Sequence, residues 1–279
     1  MTGEHHVEVR AFMKNISLVK EETNRNGWSR LDVTLPEEVL TYFRSEAINR
    51  KQQEIESFGR DTLRSISYLD ILKCGFRFEQ PYIDLLESNW MNEVVNELLT
   101  PASIMYDFFF LLNNDGDDPK HNRNNFHRDQ SYFGGARCSL MFLIPLVDFT
   151  EEIGPTEIIP GSHLIESKPS DEFCEAHLMK IIARAGDVIV FDPSVWHRAG
   201  TNATKQWRPA IIVRFQLPFL KRPIDLTSVY RTEAEGASDI LRKILGFNCQ
   251  ESDSLEDNLF HGKTFAKGQY DNLRNIYYK

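Results

Sequence analysis

A histidine and an aspartate that lie two residues apart, His127 and Asp129, are the first residues of this sequence whose spacing suggests chemistry. In an extended segment, residues i and i+2 project from the same face about 6 to 7 Å apart, so one metal ion could bind both side chains. Such a pair arises readily by chance in a chain with 8 histidines and 41 acidic residues. Alone, it fits a loop histidine beside an exposed acid equally well, and a metal site needs a third ligand.

A second histidine, His197, is the candidate for that third ligand. It lies between two β-rich runs, in the segment DVIVFDPSVWHRAGTNATKQWRPAIIVRF. In isolation His197 would be interpreted as a core histidine. The presence of His127 and Asp129 in the same chain favours its interpretation as a metal ligand. Two histidines and one carboxylate form the facial triad with which non-haem iron(II) oxygenases leave coordination positions open. We therefore predict that His127, Asp129 and His197 bind iron(II) and form the catalytic centre.

Arg208 is the candidate for binding an anionic co-substrate beside this metal. Residues 200–204 are turn-prone, and a hairpin centred there would place His197 opposite Arg208 on one face of a sheet. A guanidinium group matches a carboxylate through two parallel hydrogen bonds, which is what the distal end of 2-oxoglutarate requires. Arg214, on the same face of the same predicted strand, is the alternative for this role.

The spacing of apolar residues predicts a mainly β core with flanking helices. From about residue 104 to 217, short apolar or β-branched runs alternate with turn residues, as in a sandwich or barrel. Upstream, apolar residues at helical spacing predict one helix that begins at residues 34–37 and a second over 81–99. A further helix is predicted near 240–245, with Gly246 as its C-cap. Residues 113–125 are predicted to form a surface loop.

Composition and charge restrict the class of protein. The 279 residues, 41% hydrophobic and 26% charged, contain no linker-like stretch, which favours a single domain over residues 1–279. The formal net charge of -9 disfavours nucleic acid and anionic lipid surfaces as partners. The sequence shows neither an apolar run of 18 residues nor a signal-peptide pattern, so we expect no membrane association and a cytoplasmic location. It does not indicate an oligomeric state.

Several motifs, in the same order along the chain, resemble the phytanoyl-CoA dioxygenase family of Fe(II)/2-oxoglutarate-dependent oxygenases. They are HRDQSYF at 127–133, IGPTEIIPGSH at 153–163, AGDVIVFDPSVWHRAGTNAT at 185–204, and Arg208 eleven residues after the second histidine. The resemblance implies a double-stranded β-helix, the cupin-like jelly roll, with its core at about 100–217. A helical flank at 34–99 and a C-terminal extension at 218–279 would complete the domain.

The resemblance also implies roles for individual residues. His127, Asp129 and His197 would bind iron, and Arg208 would bind the distal carboxylate of 2-oxoglutarate. Asn113 lies near the position where relatives place a polar side chain for the proximal carboxylate. The family's reaction consumes O2 and 2-oxoglutarate and releases succinate and CO2, and its default outcome is hydroxylation of an unactivated C–H bond of a small organic molecule.

The neighbours of the proposed ligands are candidates for contact with the substrate. Gln130, Tyr132 and Phe133 follow the first ligand pair directly, and Trp196 precedes His197. Trp196 fits a pocket wall and core packing equally well. The alternative function is a non-catalytic jelly-roll protein that binds a metal or a small ligand. A demethylase or repair enzyme that acts on protein or nucleic acid is disfavoured by the acidic charge.

Overall fold

The computed structural model describes residues 16–73, 75–113, 125–204 and 206–249. Within these residues the helices are α1 (Ile16–Asn26), α2 (Glu37–Phe58), α3 (Arg60–Ser65), α4 (Gln80–Glu87), α5 (Asn89–Leu98), α6 (Asp171–His177), α7 (Leu226–Val229) and α8 (Asp239–Leu245). The strands are β1 (Trp28–Thr34), β2 (Ile71–Leu72), β3 (Ile104–Asn113), β4 (Ser139–Pro145), β5 (Thr156–Ile158), β6 (Met179–Ile181), β7 (Asp187–Phe191), β8 (His197–Ala199) and β9 (Arg208–Gln216). None of the described helices is long and apolar enough to cross a membrane.

Two antiparallel sheets form the centre of the molecule. The larger sheet has the strand order β1-β7-β4-β9-β3-β2, and the smaller one has the order β6-β5-β8. Apolar side chains of both sheets share one buried cluster, which includes Met141 and Ile212 of the larger sheet and Ile158 and Ile181 of the smaller one. The sheets therefore pack face to face, and the predicted mainly β architecture with flanking helices is confirmed.

The central strands of the larger sheet are buried on both faces. Every residue of β4 and β9 is buried, and side chains alternate between the two sides with a period of two. On β9, Ile211 and Val213 pack against the helices, whereas Ala210 and Ile212 face the smaller sheet. By the same alternation Arg208, at the start of β9, projects into the space between the sheets. A charged residue is thus placed inside an otherwise apolar layer.

The helices cover the outer face of the larger sheet through a cluster of aromatic rings. Phe43 of α2 contacts Tyr82 of α4 edge-on, with 5.0 Å between ring centroids, and both rings pack against Phe108 and Phe110 of β3. Helix α2 begins at Glu37, within the range predicted for its start. Helix α8 is followed by its predicted C-cap Gly246, which has the left-handed conformation.

Three features differ from the expectation. The helix predicted over 81–99 is two helices, α4 and α5, separated by Ser88, whose ψ of 134° is not helical. Helix α1 and strand β1 were not predicted. The predicted hairpin is wrong, because β8 pairs with β5 in the smaller sheet while β9 pairs with β3 and β4 in the larger one. The predicted loop at 113–125 lies almost entirely outside the described residues.

Candidate metal centre

Three side chains converge at one end of the space between the sheets. The potential ligand atoms of His127, Asp129 and His197 all lie within 4.8 Å of one another. The Nε2 atoms of His127 and His197 are 3.6 and 3.5 Å from the two carboxylate oxygens of Asp129. Metal bonds to nitrogen and oxygen are about 2.0 to 2.2 Å long, so a single ion between these atoms could reach all three. The structure therefore brings the three predicted ligands together.

A short backbone bridge positions the two histidines. His127 and His197 exchange two N–H···O bonds of 2.9 and 3.0 Å in an isolated antiparallel bridge. Residues opposite each other in such a pair project from the same face, which directs both rings toward Asp129. The amide of Asp129 donates to the carbonyl of Pro193 at 3.0 Å, so the turn after β7 places the carboxylate.

Backbone carbonyls orient both imidazole rings. Nδ1 of His127 lies 2.9 Å from the carbonyl oxygen of Asn125, and Nδ1 of His197 lies 2.9 Å from that of Val195. In a neutral ring the nitrogen that faces a carbonyl carries the proton, and the other nitrogen presents its lone pair. Each ring is thereby set to bind a metal through Nε2, in the manner of most metal-binding histidines.

The charges of the three residues favour a cation. Burial opposes the ionisation of Asp129, but the neighbouring imidazoles of His197 and His127 hold the pKa of its carboxyl well below its usual range. Burial likewise opposes protonation of His197, yet the carboxylate of Asp129 leaves the pKa of that ring raised. The carboxylate of Asp129 lies next to two imidazole rings and favours a positive charge at this position. A divalent metal ion would supply that charge.

A cavity of about 120 Å³ extends from these ligands between the two sheets. Its walls are largely apolar, and the remaining lining comes from the ligands and the ends of the small sheet. The lining residues are Ile71, Phe109, Leu111, Met141, Leu143, Phe191, Ile212, His127, Asp129, Thr156, His197, Arg198 and Ala199. The three predicted metal ligands thus lie at the wall of a largely apolar chamber.

Arg208 is a buried cation with unsatisfied donors. Its side chain is fully buried; Nη1 donates to the carbonyl of Gly154, and the guanidinium lies 4.4 Å from the ring centre of Phe149. Nε and Nη2 have no hydrogen-bond partner among the described residues. Burial lowers the pKa of Arg208 to about 9. Because buried unpaired donors are costly, this arrangement is suited to an anion that accepts from the free edge.

Two glycines allow the loops around Arg208 to approach closely. Gly154 has φ +74°, and a Cβ atom on it would lie 2.4 Å from the carbonyl oxygen of Gly200. The side-chain amide of Asn113 donates to that same carbonyl at 3.0 Å, and Asn113 lies opposite Arg208 in the β3–β9 register. Asn113 is therefore close to Arg208, and its contact with the co-substrate stays a prediction.

Comparison with known proteins identifies the family. The family model described as phytanoyl-CoA dioxygenase matches residues 37–210, more than half of the chain. The chain belongs to the phytanoyl-CoA dioxygenase family. It is therefore an oxygenase, and its relatives include proteins that carry the name dioxygenase.

Relatives and a solved structure extend over most of the chain. The uncharacterised protein Rv1501 of Mycobacterium tuberculosis is 24% identical over 215 residues, which cover 76% of this chain and 79% of that protein. Dioxygenase andF of Emericella variicolor is 23% identical over 233 residues, or 75% and 79% of the two chains. The crystal structure of AviO1 from Streptomyces viridochromogenes Tue57 aligns with a TM-score of 0.56 at 21% identity, over 74% of this chain and 97% of that one. The predicted jelly-roll fold of the family is confirmed.

The predicted substrate-contacting residues are not among the residues that line the cavity. Gln130 accepts hydrogen bonds through Oε1 from Ser139 and from Nη2 of Arg214. Trp196 packs beside Phe126, Ile159 and Cys174 on the other side of the bridge. Tyr132 is half-buried and Phe133 is 48% exposed. Contact of these four residues with a substrate stays a prediction.

Arg214, the alternative candidate for binding the co-substrate, has an environment that differs from that of Arg208. Its Nη1 donates to the backbone carbonyl of Asp129 at 3.1 Å, and its Nη2 donates to Gln130 and Ser139. Both terminal nitrogens are therefore used within the protein, whereas one terminal nitrogen of Arg208 is not. The sequence did not predict that Arg214 supports Asp129. The available signal was that residues 208 and 214, an even number apart on one strand, project from the same face.

Proposed function

We propose that this protein is an Fe(II)/2-oxoglutarate-dependent dioxygenase that hydroxylates an unactivated C–H bond of a small organic molecule and releases succinate and CO2. The observation that carries the proposal is the convergence of His127, Asp129 and His197 at the wall of a cavity, with the unpaired edge of a buried Arg208 between the same sheets. Two histidines and a carboxylate are the ligand set with which non-haem iron(II) accepts a bidentate co-substrate and O2.

The metal ligands would act through the atoms already directed at one another. Both imidazoles would bind iron(II) through Nε2, because their Nδ1 atoms face backbone carbonyls. Asp129 would contribute one negative charge, and a set of three protein ligands would leave the metal able to accept exogenous ligands. Iron(II) with 2-oxoglutarate supplies the oxidising chemistry that activates O2 when both are bound. Asp129 also distinguishes this chain from related halogenases, which lack the metal-binding carboxylate.

Arg208 would bind and orient the co-substrate. Its Nε and Nη2 groups form the free edge of the guanidinium, which matches the two oxygens of a carboxylate. The ring of Phe149, which lies against the guanidinium, and the full burial of Arg208 would exclude water from this ion pair. An ion pair is stronger in such surroundings than in water, so the arginine can hold the distal carboxylate while the other end reaches the metal.

Anaerobic addition of iron(II) and 2-oxoglutarate tests the proposal. The folded, iron-loaded wild-type protein should develop a visible charge-transfer absorption, and oxygen should then generate succinate. Asp129→Ala should weaken both signals, because it removes the anionic ligand and leaves two histidines to bind the metal. His177→Ala is the matched control, since His177 lies on α6 and, within the part of the chain that the structure describes, its ring interacts with Phe173 alone. Absence of both signals from the wild-type protein would instead support the non-catalytic ligand-binding function.

A further inference from the structure

The residues that flank the two histidines form reciprocal contacts across the bridge. The guanidinium of Arg128, which follows His127, lies 4.7 Å from the ring centre of Trp196. The guanidinium of Arg198, which follows His197, lies 4.4 Å from the ring centre of Phe126. Each arginine therefore stacks on the aromatic residue that precedes the opposite histidine. We refer to Phe126, Arg128, Trp196 and Arg198 as the outer quartet.

The antiparallel geometry explains the position of the outer quartet. With His127 opposite His197, residue 126 lies opposite 198 and residue 128 lies opposite 196. Neighbouring residues in an extended segment project from opposite faces, so these four side chains project from the face opposite to the two imidazole rings, although Arg198 also borders the cavity. The quartet can hold the bridge from behind without contact between its guanidinium groups and the metal.

Arg198 connects the segment of His197 to two further elements. Its Nε donates to Glu157 of β5 at 2.6 Å. Its Nη1 and Nη2 donate to the two carboxylate oxygens of Glu175 of α6 at 2.6 and 3.0 Å. The bidentate pair fixes the plane of the guanidinium as well as its position. Strand β8 is thereby joined to α6 as well as to its partner strand.

Arg128 connects the segment of His127 to the turn after β5. Its Nη1 donates to the carbonyl of Glu166 at 2.8 Å, and its Nη2 donates to the carbonyls of Ser162 and Ile165. The hydroxyl of Ser162 in turn accepts from the amide of Trp196 at 2.8 Å. The same turn therefore contacts both sides of the bridge.

Direct backbone pairing between the segments of the two histidines is short, although β8 also pairs with β5. His127 belongs to a bridge of one residue, β8 contains three residues, and two backbone hydrogen bonds join them. We propose that Arg128 and Arg198 are positioning residues that hold His127 and His197 in the geometry required to bind the metal. This inference rests on the metal site of the proposed function and assigns to that site two residues outside its ligand set.

Cobalt(II) is the probe for this inference, because its visible ligand-field absorption reports the geometry of the site. Arg128→Met and Arg198→Met keep an unbranched apolar stem but remove the charge and the hydrogen-bond donors. Each should weaken cobalt(II) binding roughly tenfold or more, as expected for residues that orient metal ligands, and should alter the absorption spectrum. The lysine variants retain a cation over the ring and should recover part of the affinity.

Arg242→Met is the matched control. Arg242 of α8 also stacks on an aromatic ring, 4.7 Å from the centre of Phe247, and donates to a backbone carbonyl, that of Ala234 at 2.6 Å. It makes the same kinds of contact in a helix that contributes no ligand. The control should bind cobalt(II) as the wild type does, even if its melting temperature falls as far as those of the test variants.

The outcomes separate the inference from the proposed function. Unchanged cobalt(II) affinity and spectrum in both methionine variants, beside a wild type that binds one ion, would overturn the positioning role alone. A wild type that binds no cobalt(II) would overturn the proposed function together with it. If the methionine variants do not fold, Phe126→Leu keeps an apolar side chain but removes the ring face under Arg198. It should weaken cobalt(II) binding as well, and unchanged binding there would equally reject the inference.

Discussion

The unpaired edge of Arg208 gives the first prediction. Arg208→Ala removes the donors proposed for the distal carboxylate of 2-oxoglutarate, and charge-assisted hydrogen bonds contribute about 1.5 to 3 kcal/mol. The apparent KM for 2-oxoglutarate should therefore rise roughly 10- to 100-fold, whereas kcat at saturation should change less, because this end of the co-substrate does not react. Succinate release measured against 2-oxoglutarate concentration tests this. An unchanged KM would assign the clamp to another residue.

Individual residues of the centre could be predicted from the sequence because their chemistry is specific. The spacing of His127, Asp129 and His197 with the surrounding motifs indicated a metal site, and the structure brings these side chains together. The reason given for placing Arg208 near His197 was wrong, since the two lie in different sheets. Facing sheets, rather than a hairpin, turn both residues toward the same interior, and pairing between distant strands is not encoded in the local sequence.

Among the elements, the turn at Gly154 is the most constrained by packing. Gly154→Ala would strain a backbone with φ +74° and would place Cβ against the carbonyl of Gly200. A positive φ costs an L-residue about 1 to 2 kcal/mol, and the collision adds to it, so we expect a loss of roughly 3 kcal/mol in unfolding free energy. The KM for 2-oxoglutarate should rise as well, because Arg208 donates to Gly154.

Gly134→Ala is the control for the effect of backbone conformation alone. Gly134 also has a positive φ, +61°, but an added Cβ would meet nothing within 4 Å among the described residues. The Gly134→Ala substitution should lower the unfolding free energy by about 1 kcal/mol and leave the KM for 2-oxoglutarate unchanged. Urea denaturation of both variants compares the two costs. Equal losses would show that the approach of the two loops does not constrain Gly154.

The buried carboxyl group of Asp107, next to a bulge in β3, predicts a pH dependence of stability. The register shifts between Met105 and Asp107, and Asp107 lies opposite Arg214. Burial raises the pKa of Asp107 from 3.8 to about 6, although the Phe108 amide and the nearby Lys73 and Arg214 oppose the shift. The folded chain therefore binds this proton more tightly than the unfolded chain. The stability that results is fully present below about pH 4 and is lost as the pH rises through 6.

Asp107→Asn isolates this effect. The variant keeps an acceptor for the amide of Phe108 but does not ionise. Its unfolding free energy relative to the wild type should increase between pH 4 and 6 and then level off at up to about 3 kcal/mol. Denaturation of both proteins across this range gives the difference, which cancels the contributions of other carboxyl groups. A difference that does not vary with pH would contradict the assignment to Asp107.

The sequence predicted elements with strong periodicity and missed those whose signal was weak. The runs that became β4, β7 and β9 are apolar enough to mark strands, because they are buried on two faces, whereas in β3 buried positions alternate with partly exposed ones from Phe108 onward. Strand β1 lies in a polar region, yet Ser29, Leu31 and Val33 alternate with exposed residues, and this alternation was its available signal. The break at Ser88 depends on packing that helical periodicity does not report.

At the scale of the whole molecule, the larger sheet separates two apolar layers with different functions. One layer lies between this sheet and the helices and includes Phe43, Tyr82 and Phe108. The other lies between the two sheets and includes Phe191, whose ring centre is 5.6 Å from that of His197. Both layers contribute to folding, but of the two only the second is continuous with the proposed metal ligands. Stability and metal binding should therefore respond differently to changes in the two layers.

Truncation of one aromatic residue in each layer tests this separation. Phe43→Ala should lower the unfolding free energy by about 3 to 5 kcal/mol, because it leaves a cavity among closely packed rings. It should leave the cobalt(II) dissociation constant unchanged at temperatures where the variant is folded. Phe191→Ala should lower the unfolding free energy by a similar amount. It should also weaken cobalt(II) binding, since it removes a ring that packs against His197. Equal effects of the two variants on the metal would mean that the sheet transmits packing changes from the helices to the ligands, and the two layers would then have to be treated as one.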